Sequence, residues 1–316
     1  MRQERRKILR ACILSMMMAM PVAGVCAAEE YPLSGDKIGG EYKIEGRNYA
    51  IFFRESRDIE AVDDVTITNT VEADGDANDT TMSIVGTTDG EGKSFTLDMK
   101  GHSLTSGDYG SFLNLTNGKN NKIIIKNAKD IVSTSHRSND IHATGTGHVI
   151  SLEAAGDIQF NREDTIENKY PIIYWGGDNE LSLSAGNNIV MNNKDDVVMV
   201  YVEKEGKASL VAGNDIIFNN DGKSNEVNVH QGVINIEAGH DIINNHNRQE
   251  SLPVYYFGDE AEAHVKAGHD LMIDSLYSTN LFNVQNGSSA DVVAGNDIVF
   301  KVKTLALTPS AYSMYN

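Results

Sequence analysis

Short runs of alternating apolar and polar residues recur along most of the chain, each followed by a corner rich in Gly, Asn and Asp. The most regular copies read EAAGDIQFN, SAGNNIVMN, VAGNDIIFN, EAGHDIINN, KAGHDLMID and VAGNDIVFK. We call the acid or amide before the Ile or Leu the marker; it falls at Asp157, Asn188, Asp215, Asp241, Asp270 and Asp297, with weaker copies at Ser103 and Asp130. Successive markers are 26 to 31 residues apart. A near-constant period of this length is typical of a solenoid, a propeller or an array.

Each repeat contains three apolar runs. The first, such as Leu181–Leu183, leads into Ala-Gly and a polar pair, which we expect to form a sharp corner because Gly and Asn reach positive φ at little cost. The second run follows the marker, and strand periodicity puts its first and third residues on one face. These two positions hold Ile158 and Phe160, Ile189 and Met191, Ile216 and Phe218, Ile242 and Asn244, Leu271 and Ile273, and Ile298 and Phe300. The third run, such as Val254–Phe257, ends in another turn.

Three short strands and three corners in about 27 residues predict an all-β fold, a single-stranded right-handed parallel β-helix. Helical repeats would show a 3.6-residue period, and a propeller blade needs about 40 residues or more. Coils that stack roughly 4.8 Å apart would align equivalent Ile and Phe side chains in internal ladders, which Asn244 interrupts. The polar residues after the second run are expected to stack as an amide ladder at a corner; they are Asn161, Asn192, Asn219 and Asn245.

The repeats divide the chain into four parts. The β-helix is expected over residues 93–303, and residues 28–92 are expected to hold an N-terminal cap with irregular early coils, because terminal units of solenoids are usually atypical. Asp64–Ile67 resembles a second run but lies 39 residues before Ser103. Residues 304–316 form a C-terminal tail without a cap-like pattern, which indicates a chain that is truncated or continues further.

Residues 1–27 have the pattern of a signal peptide. A basic segment that includes Arg2 and Arg10 precedes an apolar stretch over Ala11–Ala23, and Val25-Cys26-Ala27 places small residues where a signal peptidase cleaves. We expect cleavage after Ala27, with Ala28 as the alternative; lipidation of Cys26 is a further alternative that Val25 disfavours. Both cysteines, at positions 12 and 26, lie in this segment. The mature chain would have no thiol, which excludes a Cys nucleophile and Cys-ligated metals.

The charge of the chain limits its partners. The formal net charge is −18, and removal of five basic residues and one acidic residue with the signal peptide changes it to −22. Such a surface excludes a general nucleic-acid binder, which needs a basic footprint. A hydrophobic content of 40 % is sufficient for a core. After the signal peptide no apolar stretch approaches the roughly 20 residues of a membrane-spanning helix, so no transmembrane segment is expected in the mature chain.

The repeated Ala-Gly-Asn/His-Asp-Ile signature, with Val/Ile-x-Val/Ile before it, resembles the β-helical passenger domains of bacterial autotransporter (type V secretion) adhesins, including filamentous-haemagglutinin-like repeats. The likeness covers about residues 93–303. It implies export through the periplasm to the cell surface or medium, with an outer-membrane β-barrel elsewhere. It also implies a non-catalytic adhesin whose partners are host-cell, matrix or bacterial surface ligands, glycans among them.

The alternative function is an extracellular β-helix that binds or cleaves polysaccharide. Lyases of this architecture combine clustered carboxylates with a basic residue, but the bases of the repeats lie in separate polar segments: Arg162, Lys194, Lys207 and Arg248. Two carboxylates about 5–10 Å apart would arise in stacked coils by chance, so they do not indicate a hydrolase. No nucleophile-elbow pattern occurs. We therefore predict no enzyme activity and no cofactor.

Two features raise the question of a metal. His240 and His269 occupy one motif position in consecutive repeats, His102 occupies it earlier, and His246 or His264 could add a ligand. The simpler interpretation is that His replaces the Asn found there at positions 214 and 296. Asp74–Asp79 offers oxygen ligands but lacks the Gly and terminal Glu of an EF-hand loop, so we expect a solvated loop. No metal site is predicted.

Four aromatic residues in the third runs are candidates for glycan binding: Tyr174, Trp175, Tyr201 and Tyr256. The tyrosines lie 14 residues before the next marker, and Val227 takes the nearest place in the intervening repeat. Outward side chains would form an aromatic strip, with Phe257 nearby, suited to stacking on sugars. Inward side chains would form a core ladder. Alternation cannot exclude this arrangement, because the neighbours on both sides are apolar, and we expect it over the outward one.

Overall fold

The computed structural model describes residues 33, 35–44, 51–69, 83–87, 91–108, 111–116, 118–135, 139–162, 170–194, 196–222, 224–247, 253–277 and 281–304. The predicted signal peptide, Asp74–Asp79 and residues 305–316 lie outside these ranges. The described residues form 27 strands, all paired in parallel, in one sheet of 18 strands and one of nine. They make a β-solenoid of about eight turns with coils of about 27 residues, which confirms the predicted parallel β-helix.

Each regular coil contributes three strands. The first strands are β5 Ser94–Asp98, β8 Lys122–Ala128, β11 Val149–Ala154, β14 Glu180–Ala185, β17 Lys207–Ala212, β20 Val233–Ala238, β23 Glu262–Ala267 and β26 Ser289–Ala294. The second strands are β6 Leu104–Asp108, β9 Ile131–Ser135, β12 Ile158–Arg162, β15 Ile189–Asn193, β18 Ile216–Asn220, β21 Ile242–His246, β24 Leu271–Tyr277 and β27 Ile298–Thr304. The third strands, which form the nine-stranded sheet, are β2 Ile51–Phe52, β4 Ser83–Thr87, β7 Ser111–Leu115, β10 Ile141–Ala143, β13 Ile173–Gly176, β16 Val200–Glu203, β19 Val227–His230, β22 Tyr255–Gly258 and β25 Phe282–Val284.

The early coils use longer strands but continue the same sheets. β1 (Lys37–Ile44) and β3 (Arg57–Asn69) pair with each other, and β3 pairs with both β5 and β6. The backbone N–H of Ser103 donates to Asp64 Oδ1 at 2.7 Å, which gives Asp64 the role of a marker. The parallel sheets therefore extend back to Lys37, through part of the region expected to hold the cap and irregular coils.

The marker side chains tie each coil to the next. In each case the marker oxygen accepts the backbone N–H of the following marker at 2.9 to 3.1 Å, from Asp130 to Asp297. This bond satisfies a backbone donor at the corner, where the strand ladder is interrupted. Asn and Asp both supply the required oxygen, which explains why Asn188 replaces the acid without disturbing the repeat.

The core is the stacked ladder that the sequence predicts. Ile158, Ile189 and Ile216 are fully buried and pair in register on neighbouring second strands. Asn244 is also fully buried, and it is accommodated because the hydroxyl of Tyr255 donates to its Oδ1 at 3.0 Å. Asn244 therefore interrupts the apolar column with a side chain whose oxygen is hydrogen-bonded within the core.

The glycines at the corner between the first and second strands are needed for a different reason from the one expected. Gly213, Gly239 and Gly268 do not have positive φ. A Cβ at any of them would lie 2.0 to 2.2 Å from the carbonyl oxygen of the corresponding glycine one coil earlier. Glycine is therefore required by the close approach of stacked backbones. Positive φ does occur at this corner in two early coils, at Lys100, Gly101 and Asn127, and it occurs in the turns after the third strands, for example at Lys204 and Glu205.

The predicted amide ladder is present. Asn192 donates to Asn161, Asn219 to Asn192 and Asn245 to Asn219, with distances of 2.7 to 2.8 Å. These residues lie within second strands and are partly exposed, so the ladder runs along the outer face of the sheet and not at a corner.

A buried polar column was not predicted. The fifth position of the second strands points inward and holds Ser135, Arg162, Asn193, Asn220, His246 and Ser275. Arg162 forms an ion pair of 3.5 Å with Asp140, and both side chains are fully buried. His246 contacts the equally buried Glu226 at 2.9 Å. The interior therefore changes from apolar to polar at the end of these six second strands.

Candidate functional site

The outer face of the third strands carries the candidate site. Its central column holds Asn114, His142, Tyr174, Tyr201, Asn228, Tyr256 and Asn283 in register. The three tyrosines are partly exposed, whereas the flanking residues Ile173 and Trp175 are fully buried. The inward arrangement favoured by the sequence is therefore wrong for the tyrosines, because strand alternation turns them away from buried neighbours on both sides.

Trp175 belongs to the core and not to the outer face. It is fully buried, stacks in register with Val202, and its Nε1–H donates to the carbonyl oxygen of Asn179 at 3.0 Å. A ring with no exposed surface cannot stack on a ligand. Trp175 is thus removed from the candidate glycan-binding residues, and Tyr174, Tyr201 and Tyr256 remain.

Five rings form a continuous surface that we call the aromatic strip: His142, Tyr174, Tyr201, His230 and Tyr256. Tyr174 and Tyr201 stack with centroids 5.6 Å apart and planes at 18°. His142 meets Tyr174 edge-on at 5.3 Å. His230 lies two residues after Asn228 on the same face of β19, with its centroid 5.9 Å from that of Tyr201 and 5.1 Å from that of Tyr256. The strip therefore spans five coils.

A glycine beside the strip, Gly258, allows the ring of Tyr256 to lie against the strand. A Cβ at Gly258 would lie 2.7 Å from Cε1 of Tyr256, and one at Gly176 would lie 3.4 Å from Cε1 of Tyr174. A larger side chain at Gly258 would displace the ring. The spacing Tyr-x-Gly, present as Tyr174-Trp-Gly176 and Tyr256-Phe-Gly258, is a sequence signal for two of the outward tyrosines. Tyr201 is followed by Val202 and Glu203 and has no such signal.

Glu203 supplies the polar group of the strip. It accepts hydrogen bonds from the hydroxyls of Tyr174 at 2.5 Å and Tyr201 at 3.3 Å, and Lys204 Nζ lies 2.5 Å from its Oε1. Partial burial acts to raise the pKa of Glu203, but the hydrogen bonds from Lys204 and the two tyrosines lower the pKa below its usual value. Glu203 is therefore a carboxylate at neutral pH.

Burial, with Glu203 beside the two tyrosines, keeps Tyr174, Tyr201 and His142 each in one protonation state at neutral pH. Burial first, and then Glu203, raise the pKa of Tyr174 and Tyr201, so both hydroxyls remain hydrogen-bond donors at neutral pH. Burial lowers the pKa of His142 to about 4, which makes its imidazole neutral. Sequence reasoning did not single out His142, His230 or Glu203, because their roles depend on which coils stack beside them.

An open depression lies beside the strip. Its volume is ≈ 420 Å³, and it is lined by Tyr170, Pro171, Tyr174, Asp196, Val197, Val198, Tyr201, Glu203 and Ser224. Apolar rings and aliphatic side chains form most of this wall, with a few hydroxyl and carboxylate groups among them. That mixture is typical of sites that bind small molecules with an apolar face and polar edges.

Of the five candidate metal-binding histidines, only His240 and His269 lie together. His240 and His269 stack on consecutive coils, with centroids 4.8 Å apart. His246 instead faces the core, and His264 contacts Glu262 at 3.0 Å, so neither joins them. Nδ1 of His102 lies 3.8 Å from Oδ1 of Asp64. The next coil has Lys129 at the same motif position, so no second histidine stacks on His102 there.

No family model, curated protein or solved structure matches the chain. Within the described ranges no helix has the length and apolar character needed to cross a bilayer. The class of protein that the fold defines is the parallel β-helix, and the candidate site on its surface is the aromatic strip.

Proposed function

We propose that the protein is an exported, non-catalytic β-helical attachment protein that binds carbohydrate on host cells, matrix or neighbouring bacteria through the aromatic strip. The observation that carries the proposal is the outward stack of Tyr174 and Tyr201 beside Glu203. Tyrosine presents an apolar ring and a polar hydroxyl, which matches the apolar faces and hydroxyl edges of sugars. The rigid solenoid holds these groups in fixed order over several coils.

Binding is favoured over cleavage by the state of the carboxylate. A glycosidase needs one carboxyl group with a raised pKa to protonate the leaving oxygen. Glu203 has the opposite shift, because Lys204 and the tyrosine hydroxyls stabilise its ionised form. Its role in the proposed site is to accept hydrogen bonds and to orient the two rings.

The charge of the chain narrows the ligand class. A formal charge of −18, or −22 without residues 1–27, disfavours attachment to anionic polysaccharides through long-range attraction. Neutral sugars, recognised by contact at the strip, fit the acidic surface best.

Tyr174→Ala and Tyr256→Ala are expected to lower the affinity for a bound glycan about tenfold. An aromatic contact contributes about 0.5–1.5 kcal/mol beyond the apolar area that it buries, and about 1.4 kcal/mol is a factor of ten in affinity. A glycan array followed by titration of the best ligand measures this. Val190→Ala, on the outer face of a second strand, is the matched control and should bind as the unaltered protein does. Circular dichroism checks that each variant keeps its fold.

Unchanged binding in both tyrosine variants would reject the strip as the binding site. Release of unsaturated or reducing sugar ends would reject the non-catalytic proposal and favour polysaccharide cleavage instead.

Export is the second part of the proposal, and it is supported by the charge and apolar pattern of residues 1–27. Protein recovered outside the cytoplasm should begin at Ala28, or at Glu29 if cleavage follows Ala28. N-terminal sequencing measures the first residue, and an intact Met1 on exported protein would contradict a cleavable signal peptide.

A further inference from the structure

Two histidines and an aspartate converge at the corner between first and second strands. The rings of His240 and His269 are parallel within 3°, with centroids 4.8 Å apart. Asp241 lies between them: its Oδ2 is 3.2 Å from Nδ1 of His240, and its Oδ1 is 3.3 Å from Nδ1 of His269. One potential ligand atom from each of the three residues lies within 4.8 Å of the others.

Two further carboxylates flank this group. Asp215 Oδ1 is 3.3 Å from Nδ1 of His240, and Asp270 Oδ2 is 3.3 Å from Nδ1 of His269. Three carboxylates therefore surround two imidazoles. The histidine side chains are about half exposed, at 53 % and 48 %, so an ion can reach them from solvent.

Hydrogen bonds between successive markers fix the carboxylate of Asp241. The backbone N–H of Asp270 donates to Asp241 Oδ1 at 2.9 Å, and the backbone N–H of Asp241 donates to Asp215 Oδ1 at the same distance. Backbone donors that hydrogen-bond to a ligating carboxylate fix its orientation. The ligand group is thus held by the same bonds that stack the coils.

The distances suit a small divalent ion. Bonds from zinc to imidazole nitrogen and carboxylate oxygen are about 2.0–2.2 Å, so two ligands of one tetrahedral ion lie roughly 3.3 Å apart. The two nitrogen–oxygen distances, 3.2 Å from His240 to Oδ2 of Asp241 and 3.3 Å from His269 to its Oδ1, are close to this value. Because they run to different oxygens, Asp241 would bind the ion through both of its oxygens or turn to present one. The two imidazoles must approach each other further, which rotation of half-exposed side chains allows.

Histidine is not required at this corner for folding. The same position holds Asn187, Asn214 and Asn296 in other coils, and each donates its Nδ2 to the side chain of the preceding marker at 2.7 to 3.0 Å. Asn therefore performs the structural task in full. Two consecutive histidines add nitrogen ligands that Asn does not provide.

We propose that His240, Asp241 and His269 form a surface site for one divalent transition-metal ion of the zinc class, with Asp215 and Asp270 contributing negative charge. Imidazole ligands favour zinc, copper and nickel, whereas calcium and magnesium prefer sites made entirely of oxygen. The bound ion would join two adjacent coils, because its ligands come from both. This site is independent of the aromatic strip and of the proposed attachment function.

The test uses untagged protein, since a polyhistidine tag would itself bind the ion. Isothermal titration with Zn²⁺ is expected to show one dominant site per chain, and Ca²⁺ under the same conditions should give no comparable binding. His240→Asn and His269→Asn should each lower the Zn²⁺ affinity at least tenfold while leaving the thermal midpoint without metal unchanged. Added Zn²⁺ should raise the midpoint of the unaltered protein and not that of the double variant.

His102→Asn is the matched control, because it makes the same change at the same motif position in a coil without a neighbouring histidine. It should bind Zn²⁺ as the unaltered protein does. The proposal is overturned if the unaltered protein does not bind Zn²⁺, or if the affinity is the same in His240→Asn, His269→Asn and His102→Asn.

Discussion

Replacing Ile216 with Asp is expected to lower the free energy of unfolding by about 3–5 kcal/mol. The side chain is fully buried and pairs in register with Ile189 on one side and Ile242 on the other. An ionised carboxyl there would lose its hydration and meet only apolar neighbours. Chemical denaturation followed by far-ultraviolet circular dichroism measures the change.

Ile217→Asp is the control, one residue further along the same strand. Its side chain faces outward and is partly exposed, so the same chemical change should cost only about 1 kcal/mol. Equal losses in the two variants would show that the assignment of inner and outer faces is wrong. A large loss at Ile216 alone would locate the core ladder on the side that the marker predicts.

The ladder could be predicted from sequence because every coil repeats one environment. Ile189, Ile216 and Ile242 stand at the same offset from their markers and share the same buried neighbours. Period and alternation together define the fold, since a residue that recurs at a fixed place in each coil stacks on its own equivalents. The amide ladder from Asn161 to Asn245 follows from the same rule.

The candidate site was less accessible to such reasoning, because apolar residues occupy both faces of the third strands. Tyr174 lies between Ile173 and Trp175, so alternation in the sequence does not distinguish inside from outside. The close approach at Gly213 also depends on the coil before it, which no local pattern records. Contacts between coils, and not properties of single runs, determine these features.

Arg162 shows most clearly what local pattern leaves out. A charged residue at the end of a strand suggests a solvated position, yet Arg162 is 1 % exposed and faces Asp140 across the interior. Asp140 directly precedes the third strand β10, one coil earlier, and also accepts a hydrogen bond from Ser133 at 2.5 Å. The pair exists only because stacking brings two separate segments together.

Arg162→Met is therefore expected to destabilise the protein by about 3–5 kcal/mol at pH 7.5, because the buried Asp140 carboxyl must then either stay charged without its partner or take up a proton. Burial raises the pKa of Asp140 to about 6 even beside Arg162, against an ordinary value of 3.8. Loss of the guanidinium should raise this pKa further. The folded variant then holds a proton that the unfolded chain releases, so its unfolding free energy falls as the pH rises from about 4 through 6 and above.

The cost of Arg162→Met should consequently be smaller at pH 5 than at pH 7.5, since at pH 5 the Asp140 carboxyl is largely neutral. Combining it with Asp140→Asn, which removes the charge and keeps the shape, should recover at least half of the loss at pH 7.5. Urea denaturation of the two variants and the unaltered protein at both pH values provides the comparison. A cost that is independent of pH, or no recovery in the double variant, would mean that Arg162 stabilises the coil through packing of its long side chain and not by compensating the buried carboxylate.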